Sequence, residues 1–184
     1  MNIQDIINTT RLTLFSTNDA EQASTDTGLI SYITECVRNT LEELYLTDLS
    51  FVTEEEVSFT DGKVVLSSLA HTLIEPVSLT SDERRLTVRV DATHVLSDGF
   101  EGQATLRYRA KYDVPTMITA ALKLPPAYTA EVVKLGACYR YALGRGLVDE
   151  GNYYLKAYEN ARLAIQPVRA YEKTAGIIKG RCFR

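Results

Sequence analysis

The sequence predicts an α+β fold: a helical bundle of two N-terminal helices and a C-terminal helical hairpin, with an inserted antiparallel β-rich segment and an extended basic C-terminal arm. Two observations predict it. Apolar residues recur at helical spacing in the first third, alternate strictly in the middle third, and return to helical spacing in the last. Asp-Gly pairs, the strongest short signal for a hairpin turn, punctuate only the middle third. A chain of 184 residues suits one domain carrying an insertion, here read as a domain over 1–184, a β-rich segment over 50–115 and an arm over 168–184.

The elements follow in order. Ile3, Ile6, Ile7 and Leu14 mark a short amphipathic helix, ended by the turn-forming stretch from Ser16 to Thr27. Ile30, Ile33, Val37, Leu41 and Leu44 form one stripe of a second helix, with Glu35, Arg38, Glu42 and Glu43 on the water side and Asp26 or Thr27 as its cap. Val57 and Phe59 precede Asp61-Gly62, and Val64 and Leu66 follow, a hairpin pairing Phe59 with Val64 and Val57 with Leu66. Leu73 to Leu79 reads as a strand that Pro76 demotes to an edge. Leu86, Val88 and Val90 alternate in the next, and Asp98-Gly99 lies in a loop. Ala104, Leu106, Tyr108, Ala110 and Tyr112 give the dry face of a last strand. Pro125-Pro126 ends that region and can open a helix whose side carries Val132, Leu135, Tyr139, Leu143 and Leu147. Asp149 to Asn152 connects to a helix with the stripe Tyr154, Ala157, Ala161 and Ile165, stopped at Pro167. The remainder has no period, which predicts an arm that orders against a partner.

Composition removes much chemistry. Cys36, Cys138 and Cys182 form no CxxC pair, and neither His71 nor His94 has metal-ligand spacing. No GxSxG elbow, Walker loop or GxGxxG after a strand is present, and Gly144-Arg145-Gly146 interrupts a helix. No enzyme, cofactor or metal is therefore expected. No run approaches the roughly 18 apolar residues of a membrane helix, and the start lacks a secretory signal, so a soluble protein of a reducing cytoplasm is expected.

Charge and tyrosine point to interaction instead. Residues 1–138 hold 11 Lys and Arg against 20 Asp and Glu, whereas residues 139–184 hold 9 against 4, within a total net charge of -4. A basic tail on an acidic body implies an anionic partner, either nucleic acid or an acidic protein surface. Of 11 tyrosines, 7 lie from Tyr128 onward, as core filler or as interface, with Tyr141 the best interface candidate. Arg107, Arg109 and Lys111, with Arg89, place cations on a wet sheet face. That face is either solvated or pairs with acids of a neighbouring subunit, for which Glu54, Glu55 and Glu56 form the complementary patch.

In this order of parts the chain resembles the head–tail adaptor (connector) proteins of tailed bacteriophages. The likeness is carried by Asp61-Gly62-Lys63-Val64-Val65-Leu66, by TLRYRAKYD over 105–113, and by EVVKLGACYRYALGRGLVDEGNYYLKAY over 131–158, and it spans most of residues 25–166. It implies a structural virion protein at the head–tail interface: a homo-oligomeric ring, commonly dodecameric, docked on the portal protein, meeting a tail or stopper protein below. Double-stranded phage DNA would pass through the lumen without sequence-specific binding. A portal-binding arm would then carry Arg169, Tyr171, Lys179, Arg181, Phe183 and Arg184. The competing expectations are a tail-completion or other virion assembly protein, and a nucleic-acid-binding or regulatory module using the basic arm.

Overall fold

The structure, a computed structural model, describes residues 1–15, 26–82, 84–124 and 128–179, with side chains to Ile165. It is α+β, with four helices among the described residues: α1 (Ile3–Leu14), α2 (Thr27–Thr47), α3 (Ala130–Gly144) and α4 (Val148–Lys179). Among the described residues seven strands lie between α2 and α3: β1 (Phe51–Phe59), β2 (Lys63–Val65), β3 (Thr72–Ser81), β4 (Arg84–Leu86), β5 (Arg89–Val90), β6 (His94–Leu96) and β7 (Gly102–Lys111). The chain divides into two compact units, one of residues 1–42 and 114–184, the other of residues 43–113.

In the helical unit, α1 opens with a reciprocal cap: the Asn2 side chain accepts from the Asp5 amide at 2.8 Å, and Asp5 accepts from the Asn2 amide at 3.0 Å. Of its expected stripe Ile3, Ile6 and Ile7 are buried and Leu14 is half-buried. At α2, Asp26 caps the amides of Gly28 and Leu29 at 2.9 and 3.1 Å. Ile33, Val37, Leu41 and Leu44 are buried as the spacing predicts, joined by Leu29, Cys36, Thr40 and Tyr45. Arg38 does not face open water: its guanidinium donates to the carbonyls of Pro115 and Thr116 at 2.9 and 2.6 Å, tying the chain's return to α2.

The hairpin α3–α4 departs from its expected boundaries. Pro125 and Pro126 lie outside the described residues, as do residues 16–25; α3 starts at Ala130 after Thr129. Its end is a glycine stop: Gly146 takes φ +76°, and the Leu147 amide returns to the Ala142 carbonyl at 2.9 Å. Asp149 and Glu150 therefore lie inside the first turn of α4, where carboxylates meet the positive helix end, and not in a connection. Leu143 lies against Gly151 and Gly136 against Tyr158, so the two helices run antiparallel. The helical backbone passes Pro167 and continues to Lys179, where an extended arm was expected from Val168. Half of residues 168–179 are good helix formers (Arg169, Ala170, Glu172, Lys173, Ala175 and Lys179), so the segment resumes the helix beyond Pro167.

The β unit has a four-stranded antiparallel sheet ordered β1-β7-β3-β4 and a three-stranded sheet ordered β2-β6-β5. Central β7 buries Ala104, Leu106, Tyr108 and Ala110 and turns Arg107 outward, the expected alternation. Val64 and Val95 of the small sheet join Val57, Phe59, Leu79 and this β7 face in one core. The hairpin expected at Asp61-Gly62 is corrected. The turn forms, with φ +51° and +72° and paired bonds between Thr60 and Lys63 at 3.0 and 3.1 Å, but the strands part beyond it. Phe59 pairs with Gly102, Val57 with Ala104 and Val64 with Val95. Pairing β1 with β7 makes a continuous nine-residue ladder, which the three residues of β2 could not match. Pro76 sits at an irregularity facing β7; β4 reaches only Leu79–Ser81, so that part of β3 has one neighbour. The expected strand 86–90 is two, β4 and β5, in different sheets.

Candidate functional site

Three consecutive acids on β1 meet three surroundings, because alternate residues of a strand face opposite ways. Glu54 stands opposite Arg107, with carboxylate and guanidinium 3.5 Å apart on the wet face. Glu55 turns to the other face, where it accepts from the Tyr108 hydroxyl at 2.8 Å and the Ala70 amide at 3.1 Å. Burial and then this carboxylate push the Tyr108 phenol up to about 12. Glu56 lines a groove of about 220 Å³ with Thr80, Ser81, Asp82, Gln103 and Thr105.

Within the chain Arg107 pairs with Glu54, since β1 and β7 are adjacent. Arg109 donates to the Ser50 hydroxyl at 2.9 Å, and Lys111 stands opposite Thr72. Arg89 does not share this face; it lies in β5 of the other sheet, 3.6 Å from Asp98.

Tyr141 is corrected from interface to core. It is 7% exposed, its ring 5.9 Å from that of Phe15 and 5.6 Å from that of Tyr32. The face of α3 that packs carries Val132, Val133, Gly136, Ala137, Cys138, Tyr141 and Ala142, so small residues and not the large stripe set the contact. Of the expected stripe Val132 is buried and Leu135 and Tyr139 are half-buried, but its C-terminal end is exposed: Leu143 at 41% and Leu147 at 45%, next in sequence to Val148 at 57%, with Tyr153 at 69%. This apolar tip of the helical hairpin was missed as a surface, although its residues were visible in the sequence. Of the expected arm, Arg169, Tyr171 and Lys179 fall on the helical backbone of α4, their side chains outside the described residues; Arg181, Phe183 and Arg184 lie outside them altogether.

A groove of about 360 Å³ in the helical unit is lined by Tyr32, Glu35, Cys36, Asn39, Tyr139, Arg140 and Leu143. Its thiol is not a ready nucleophile. Burial, reinforced by Glu35, pushes Cys36 up to about 11, and burial pushes Cys138 up to about 12. Among the described residues no group of three or more His, Cys, Asp or Glu could hold a metal ion, and no helix is long and apolar enough to cross a membrane. No protein-family model matches the chain, nor does any curated protein.

Proposed function

We propose that the chain is a structural virion protein, a head–tail adaptor of a tailed phage that docks on the portal as a ring, commonly of twelve, and continues the DNA channel to the tail. The observation that carries this reading is the order of parts: a helical unit interrupted once, between α2 and α3, by a β unit of residues 43–113. That order, with the quoted strand and helical-pair motifs, is what the adaptor resemblance implies; of the quoted 61–66 hairpin only the turn forms. One further feature supports an assembly role: the hairpin tip exposes Leu143, Leu147, Val148 and Tyr153, apolar side chains suited to a protein partner.

In this reading the C-terminal segment carries the portal contact, through Arg169, Tyr171, Lys179, Arg181, Phe183 and Arg184. The net negative charge suits a lumen that must release DNA, since fixed cations would add affinity with each phosphate contact. Deleting residues 168–184 tests it. The shortened chain is expected to lose only the helical signal of residues 168–179, to keep its cooperative unfolding and to lose incorporation into portal-bearing particles; unchanged incorporation would contradict the role of the segment. The excess of bases in 139–184 favours a second reading, a nucleic-acid-binding module. That reading requires duplex binding that falls steeply with salt and survives in a peptide of residues 162–184.

A further inference from the structure

The two edges of the four-stranded sheet carry opposite charge at the same level. β1 forms one edge with Glu54, Glu55 and Glu56, and β4 forms the other with Arg84 and Arg85. Glu56 pairs with Thr105, Thr105 with Thr80, and Thr80 with Arg85, so Glu56 and Arg85 end one row and share one face. Both are exposed, and among the described residues neither has an ion partner. Direction agrees as well. β1 and β3 each run antiparallel to β7, and β4 runs antiparallel to β3, so β4 is antiparallel to β1.

From this we propose that a second copy of the chain adds its β1 to this chain's β4, the two sheets becoming one, with Arg85 opposite Glu56 of the next copy. A copy added in the same orientation presents β1 antiparallel to β4, the pairing this sheet uses throughout. A free strand edge offers unpaired amides and carbonyls, and charges on it normally repel an incoming strand. Here β1 against β1 sets Glu on Glu and β4 against β4 sets Arg on Arg, whereas β1 against β4 sets acid on base. The contact is therefore heterologous, the kind that closes rings; that it closes into one on the portal rests on the adaptor reading. β4 has only three residues, so the ladder is short, and copies held side by side on a template gain from their high effective concentration.

Cross-linking tests the contact directly. In the full chain carrying C182S, E56C and R85C proteins are mixed in equal amounts at about 1 mM and gently oxidised. Random pairing would give the 56–85 disulfide at twice the 56–56 or the 85–85 species; it is expected to exceed that statistical ratio severalfold, and a statistical ratio, dominant homodimers or no dimer would overturn the proposal. Charge variants separate it from the adaptor reading. When the chain is imaged on portal-bearing particles, E56R is expected to weaken annulus formation about fivefold, and E56R/R85E to restore it. An annulus indifferent to E56R overturns the edge contact and leaves the adaptor reading standing. A 56–85 cross-link without any annulus supports the edge contact and overturns the adaptor reading.

Discussion

Gly136 shows how one missing side chain holds the helical unit together. A Cβ there would run into the Thr40 methyl of α2 and stand 2.9 Å from the Tyr158 ring of α4, so only glycine lets the three helices meet. G136A is expected to destabilise by about 1–3 kcal/mol, more than the helix propensity gained, as read by urea unfolding. The thiols and Tyr108 define a pH window at this same scale. The folded chain holds protons on Cys36 to about 11 and on Cys138 and Tyr108 to about 12, above their usual values of 9.0, 9.0 and 10.0. Their neutral forms are favoured by folding, so this contribution is complete below pH about 9 and is lost as pH rises through 11 to 12. The urea midpoint is expected to fall steadily across that range. Peptide mapping after alkylation at pH 8 should find Cys36 and Cys138 unmodified in the folded protein; rapid labelling of either would contradict their protonated, buried state.

Turns and strands behave less locally. Gly62 and Gly99 both take positive φ, but a Cβ at Gly62 would stand 2.8 Å from the Ser97 carbonyl, while at Gly99 it meets open space. G62A is expected to cost roughly 1–3 kcal/mol in thermal unfolding and G99A less; equal losses would mean that φ alone matters. These elements also show what was legible beforehand. Period located α1 and β7, and period with a cap located α2, because each signal lies within a few residues: the Ile3–Ile6–Ile7 spacing, the Leu106–Tyr108 alternation, the Asp26 cap. The Asp61-Gly62 turn was legible too, yet not the partners of the strands it joins. Pairing with β7, some 40 residues on, depends on ladder length and a shared core, which local spacing does not encode. The α3 packing face was misread for a related reason. Gly136, Ala137 and Ala142 win the contact by allowing close approach, so the larger Leu143 and Leu147 are displaced outward and Tyr141 inward. Of the expected interface residues Glu54, Glu56 and Arg107 are exposed, and Glu54 and Arg107 meet each other; Glu55, Arg109 and Lys111 are half-buried.

At the level of the whole molecule, a β unit interrupts a helical one, and its two charged edges and an apolar hairpin tip are surfaces suited to protein contact. An assembly protein needs such surfaces more than it needs a cavity. A nucleic-acid role would instead place its affinity in the basic C-terminal quarter, and titration of duplex DNA at increasing salt separates the two. The adaptor reading expects little duplex affinity for the full chain at physiological salt. The most direct measurement is imaging of portal-bearing, tail-free particles with and without the purified chain. The adaptor account predicts an added annulus beneath the portal; particles that look the same in both preparations would contradict it.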